Sequence, residues 1–223
     1  HHFFKFSHKE PSISKTNNTS RKNHIISGNF PFSVKASPFY YGWIILVAGA
    51  MGILFSIPGQ TMGVSVYTDH LISNLHLSRI QISTAYMIGT LLSSLIITKA
   101  GILYDKFGAR VVAAGAAISL GLCLMILSNS VQITSVLNRL THLPSEGIAF
   151  TLMVTGFFGI RFFGQGVLTL VSRGMVMRWF ESHRGFAAAI MGIFTSFGFS
   201  IAPRMLQMLI DLSGWEKSWL LMG

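Results

Sequence analysis

The sequence predicts an all-α, polytopic membrane helix bundle. Charged residues make up only 11% of the 223 and hydrophobic residues 51%, with a mean hydropathy of +0.56; a soluble domain carries about 25% charge. The shortage of charge recurs along the chain as long uncharged runs, each near the roughly 20 apolar residues that cross about 30 Å of hydrocarbon. The basic residues separating those runs collect on one side when the spans are made to alternate.

The first uncharged run extends from Ala36 to Thr68, with an apolar core from Trp43 to Ile57 and a polar, kinked outer half carrying Pro58, Gln60, Thr61, Ser65 and Tyr67. The second is Ile80 to Thr98, bounded by Arg79 and Lys99. Its Tyr86, Thr90, Ser93 and Ser94 follow helical spacing and form a polar stripe, for interhelical hydrogen bonding or for lining a cavity. The third is Val111 to Ser128, rich in small residues (Ala113, Ala114, Gly115, Ala116, Ala117, Gly121) suited to close helix packing. Gly147 to Ser172 is the fourth, broken only by Arg161. Gly185 to Pro203 is the fifth, continuing past Arg204 toward Asp211. Trp215 and residues 218–223 read as the mouth of a sixth helix that the chain does not finish, and hence as a truncated fragment.

With the N-terminus placed in the cytoplasm, the inside holds Lys5, Lys9, Lys15, Arg21, Lys22, Lys35, Lys99, Lys106, Arg110, Arg173, Arg178 and Arg184. The outside holds Arg79, Arg139 and Lys217. Excess Lys and Arg on cytoplasmic loops is what membrane insertion selects. The formal net charge of +10 is therefore mainly a topology signal. A nucleic-acid partner is excluded, because hydrophobic runs divide the basic residues instead of leaving one patch. Residues 1–40, rich in Ser, Asn, Lys and His without helical period, read as a disordered, basic cytoplasmic tail. No short apolar core and cleavage site follow, so they are not a signal peptide.

No enzyme constellation is present. Cys123 is the single cysteine, inside the third span, and no internal disulfide is possible. The histidines at 1, 2, 8, 24, 142 and 183 fall in the tail or loops, and His70 and His76 near the outer end of the first span. Without a Cys or carboxylate cluster beside them they make no zinc site, and no cofactor is expected. Gly164-Gln165-Gly166 lies inside a span, not after a strand, so it is no nucleotide loop.

The most specific signal is Gly101-Ile-Leu103-Tyr-Asp105-Lys106-Phe-Gly108-Ala-Arg110, between the second and third runs. It resembles the G-x-L-x-D-x-x-G-x-[R/K] loop between helices two and three of major facilitator superfamily (MFS) transporters at every fixed position. Arg161-Phe-Phe-Gly164-Gln165-Gly166 is similar to that superfamily's R-x-x-x-Q-G pattern, and Trp179-Phe180 to Gly185 to its W-F-x-x-x-R-G loop. Gly192, Gly198 and Pro203 resemble its fifth-helix glycine–proline run only loosely, and Gly214-Trp215 matches the lead into helix six. The resemblance covers residues 41–223, and within the superfamily it is closest to monocarboxylate and oxalate–formate carriers.

The resemblance implies an N-terminal six-helix half with its sixth helix cut short. A C-terminal half, absent here, would supply the opposite wall. It implies a secondary active transporter of a small solute, such as an organic anion, with a proton as candidate coupling ion, in the plasma membrane. It also implies that Asp105 pairs across the cytoplasmic face with Arg184, besides its neighbours Lys106 and Arg110, in a gate that rocking breaks; a plain folding loop is the alternative. Gly101 and Gly108 would let the chain turn tightly there. Arg161, near the bilayer midplane with Gln165 one turn on, must face protein or a water-filled cavity. It is a candidate for substrate or proton coupling, or a structural cation bonded to neighbouring carbonyls. Arg204, Gln60, Tyr86 and Thr90 complete the candidate substrate path; Arg204 otherwise snorkels to the interface. A non-transporting membrane receptor or scaffold of the same fold is the competing function.

Overall fold

A computed structural model describes residues 42–223. The tail read over residues 1–40, with its lysines and histidines, lies outside the described residues. Every element among the described residues is helical, and all of them fall within one compact unit.

Helix α1 (Gly42–Phe55) is apolar all round and, at 14 residues, rises about 21 Å, too little to cross a bilayer alone. It continues through one 3-10 turn (Ile57–Gly59) into α2 (Thr61–Leu75). Pro58 at the start of that turn removes a backbone donor, and Gln60 is fully extended (φ −82°, ψ 155°), so the helical ladder is broken in mid-span. Ser56 and Gln60 repair the gap with side chains: Ser56 Oγ donates to the Ile53 carbonyl at 2.6 Å and Gln60 Nε2 donates to Ser56 Oγ at 2.9 Å. The polar, kinked outer half expected of the first span is this feature.

Ser78 and Gln81 cap the next helix reciprocally, Gln81 N–H to Ser78 Oγ and Ser78 N–H to Gln81 Oε1. Helix α3 then runs from Arg79 to Ser128, 50 residues with a single non-helical residue, Gly108 (φ 82°, ψ 166°). The second and third spans are therefore joined by one residue, not by an open loop. Gly89 abuts Phe157 and Phe158, while Leu127 abuts Gly156. Two points so far apart in sequence meet one level of the same neighbouring helix, so the arms of α3 double back at Gly108. The expectation of a turn at both glycines is corrected: Gly101 is ordinary helix with open space around it, and only Gly108 turns the chain.

Helix α4 (Ser130–Thr141) follows at Asn129 and was not anticipated; the sequence there reads as an outer loop. His142 and His76 close α4 and α2 in the left-handed conformation (φ 54° and 53°), the C-terminal role usually taken by glycine or asparagine. Helix α5 (Ser145–Ile160), a π-helical stretch (Arg161–Leu168) and α6 (Thr169–Trp179) form one continuous 35-residue rod. Helix α7 (Arg184–Ser213) passes Pro203 without interruption, and α8 (Trp215–Met222) follows Gly214. Among the described residues, Arg79–Ser128, Ser145–Trp179 and Arg184–Ser213 are each long and apolar enough to cross a membrane.

The main core is drawn from α2, both arms of α3, α5 and α8, with Leu71, Leu124, Leu127, Met153, Phe157 and Ile160 wholly buried. A second cluster joins α1, α6 and α7 through Leu46, Ile53, Val176, Ala187 and Met191. The small-residue face of the third span is only partly used: Ala116 is buried, Ala114, Gly115 and Ala117 are exposed. Cys123 is half-buried beside Gly159.

Candidate functional site

The break in the first span and the π-helical stretch of the fourth lie against each other. A Cβ on Gly59 would overlap the Ile160 carbonyl and come within 2.9 Å of Gly164 Cα and 3.0 Å of the Gln165 nitrogen. Two irregular backbones therefore touch where only hydrogen atoms fit between them. Gly164 and Gly166 weaken the α-helical bonding of this stretch, which favours the wider i→i+5 ring often found at functional sites.

Arg161 opens the π-helical stretch, sixteen residues in from Ser145 and eighteen short of Trp179, at the middle of the rod. Its Nη1 reaches the Gly59 carbonyl at 3.5 Å and Thr61 Oγ1 at 3.4 Å, and its guanidinium lies 5.1 Å from the centre of the Tyr86 ring. Tyr86 Oη and Thr61 Oγ1 are 2.9 Å apart, which ties α3 to the start of α2 and sets the ring under the cation. Both hydrogen bonds from Arg161 are long, and no carboxylate lies within ion-pair distance of it among the described residues. A guanidinium has five N–H donors, and here two are loosely engaged. Nearby, Gln165 Oε1 is buried with no hydrogen-bond partner. The arrangement combines an under-coordinated cation, an acceptor without a donor and a hydroxyl pair, at the level where charge is most costly in lipid.

The other candidates divide. Gln60 belongs to this region but is spent on Ser56, whose hydroxyl also sits 3.4 Å from Thr169 Oγ1. Thr90 donates to the Tyr86 carbonyl of its own helix, and Ser93 and Ser94 bond back likewise. Only Tyr86 of that polar stripe reaches across to another helix. Arg204 is exposed on α7 and is not brought to Arg161; Asp211 accepts from Gln207 at 2.9 Å.

At one end of the bundle Asp105 is closed on by Arg178, Nη2 to Oδ1 at 2.6 Å, and the same guanidinium lies 4.6 Å over the Tyr104 ring. The pairing expected with Arg184 is corrected: Arg184 approaches Glu181 at 3.8 Å. Arg178, in the last turn of α6, looks across at the first arm of α3, whereas Arg184 begins α7 beyond the turn. Lys106 places its ammonium 5.3 Å over Phe107. Leu103 is half-exposed and Arg110 follows Gly108 on the second arm. Thr61, Ser56 and Arg178 were missed as partners; the break at Pro58–Gly59 is the signal that would have pointed to the first two.

Among the described residues, three helices long and apolar enough to cross a membrane, packed around a mid-rod cation, describe a polytopic membrane protein. The sequence profile of the Major Facilitator Superfamily matches residues 44–223. The chain belongs to that superfamily, whose members move small solutes across membranes. No curated protein and no solved structure gives a significant match.

Proposed function

We propose that this chain forms the N-terminal wall of a secondary carrier that moves a small organic anion, such as a monocarboxylate, by alternating access. The observation that carries the reading is Arg161: a mid-rod guanidinium with two long hydrogen bonds and no carboxylate partner among the described residues. A buried or half-buried cation without a counter-ion is costly in lipid, and a carboxylate solute supplies the missing charge. Gln165 Oε1, lacking a donor, offers a second contact to a hydroxyl, a water or a protonated acid. A proton is the candidate co-solute. Asp105 and Arg178 serve as a latch at the cytoplasmic end, with the N-terminus on the same side and a second half-bundle facing this one. Gln60, Tyr86 and Thr61 hold the break against which Arg161 rests, and Arg204 lies outside the binding region.

Uptake of labelled short carboxylates into vesicles containing the full-length carrier tests this reading. Carboxylate uptake that Arg161→Gln abolishes supports it; uptake of amines but not acids, or unchanged uptake in Arg161→Gln, sinks it. Uptake of no solute favours a receptor or scaffold. A reporter fused at the Asp105 turn reads orientation, and a signal from the external side reverses the topology.

A further inference from the structure

The π-helical stretch does more than sit beside Gly59. Gly164 and Ser172 are eight residues apart and both abut the first span, at Gly59 and at Gly49 and Gly52; Gly166 and Gly174, also eight apart, both abut the first arm of α3, at Ile97 and Tyr104. Eight residues of unbroken α-helix turn a side chain about 80° away from its starting face. The i→i+5 stretch absorbs that offset. Position 169 thus shares the face of Arg161, and Arg173, four α-helical residues on, falls within about 40° of it. In an unbroken helix the two arginines would stand about 120° apart. The insertion aligns two cations on one side of the rod, roughly 18 Å apart along its axis.

Arg173 is exposed and has no ion pair or hydrogen bond among the described residues. It stands at a crevice of about 290 Å³ between α1, α6 and α7, walled by Ile53, Met177, Ala188 and Met191. A Cβ on Gly192, in the floor, would meet nothing within 4 Å. Thr195, also lining it, keeps its hydroxyl on the Met191 carbonyl of its own helix at 2.8 Å. The crevice therefore offers one cation and an otherwise apolar, methionine-rich lining that adapts to shape. Its volume equals that of about ten waters in the liquid, too small for a lipid acyl pair and enough for a short aliphatic acid.

We propose that this crevice is a second anion station, where Arg173 takes the carboxylate of a short-chain aliphatic acid and Ile53, Met177 and Met191 receive its alkyl end. It deepens the anion reading of Arg161 by adding a stop on the same face of the rod. A cation in an apolar crevice selects against amines by charge and against acetate by area, since each buried methylene contributes about 0.8 kcal/mol.

The test is a protection experiment that needs no transport. The full chain carrying Cys123→Ser and Ala188→Cys, purified in detergent, is alkylated with a maleimide at the exposed position 188. Hexanoate at ten times its half-saturating concentration should slow alkylation about tenfold by occupancy, acetate far less, and hexylamine not at all. Arg173→Gln should remove the protection while Arg161→Gln leaves it. Gly192→Leu, which fills open space, should remove it with an unchanged melting temperature. Absence of protection, equal protection by hexylamine, or protection that survives Arg173→Gln overturns the proposal. Protection here with no carboxylate uptake in vesicles rejects the carrier reading and keeps the station; uptake without protection does the reverse.

Discussion

Arg178 reaches from the last turn of α6 to Asp105 on the first arm of α3 and closes on it at 2.6 Å, while covering the Tyr104 ring at 4.6 Å. Both charged side chains are more than 60% exposed, so the pair is screened and contributes at most about 1 kcal/mol. A pair this exposed costs little to break. A double-mutant cycle on Asp105→Asn and Arg178→Gln should give a coupling of no more than about 1 kcal/mol in thermal unfolding, with transport impaired and surface expression kept in each single variant. A larger coupling of Asp105 to Arg184 than to Arg178 would contradict the pairing.

Gly108 and Gly101 should respond oppositely to alanine. Gly108 sits at φ 82°, ψ 166°, a region other residues reach only with about 1–3 kcal/mol of strain, so Gly108→Ala should lower the melting temperature and transport together. Gly101 is helical with nothing near its would-be Cβ, and Gly101→Ala should be neutral or stabilise by up to about 1 kcal/mol. Equal losses in a melting assay would mean that the chain turns at both.

Gly59→Ala should be among the most damaging single-methyl additions in the chain. The new carbon would strike backbone at Ile160, the last residue of α5, and at Gly164 of the π-helical stretch, and backbone cannot swing aside as a side chain does. We expect a loss of about 1–3 kcal/mol from overpacking, read as a lower melting temperature. Gly185→Ala, with open space around it, is the control.

Arg161→Lys should fail where charge alone would suffice. An ammonium lacks the planar fork that reaches the Gly59 carbonyl, Thr61 and the Tyr86 face together. Tyr86→Phe keeps the ring under the cation and removes only the bond to Thr61, at a cost of about 1 kcal/mol. Uptake kinetics should show a severe loss for the lysine variant and a mild one for the phenylalanine variant; the reverse order would remove Arg161's geometry from the mechanism.

The three long helices were legible because lipid imposes a simple demand: long apolar runs must be helices, and the uncharged stretches from Ile80, Gly147 and Gly185 lie in the three long rods. The position of Arg161 at mid-rod was legible for the same reason, by counting residues. What sequence concealed were departures from regular helix. Gly164 and Gly166 loosen an α-helix but do not by themselves specify an i→i+5 ladder, and the close approach of Gly59 from the neighbouring span is not written in their local sequence. The partner of Asp105 was mistaken for a related reason: Arg178 and Arg184 are both basic and both near a turn, and only the direction of α6 decides between them. Helix α4 was hidden because its polar, amphipathic residues read as loop.

The far end of the bundle is fastened differently. Tyr67 bonds to Ser218 at 2.9 Å and lies 4.7 Å from the Trp219 ring, and Ser128 donates to the Glu216 carbonyl at 2.7 Å. Helices α2, α3 and α8 are thus tied together, α2 to α8 by a buried tyrosine and α3 to α8 by the serine bond, opposite a clasp of two solvent-facing charges. Helices tied by buried contacts at one end and by a solvent-screened ion pair at the other should part first between Asp105 and Arg178, where least free energy holds them.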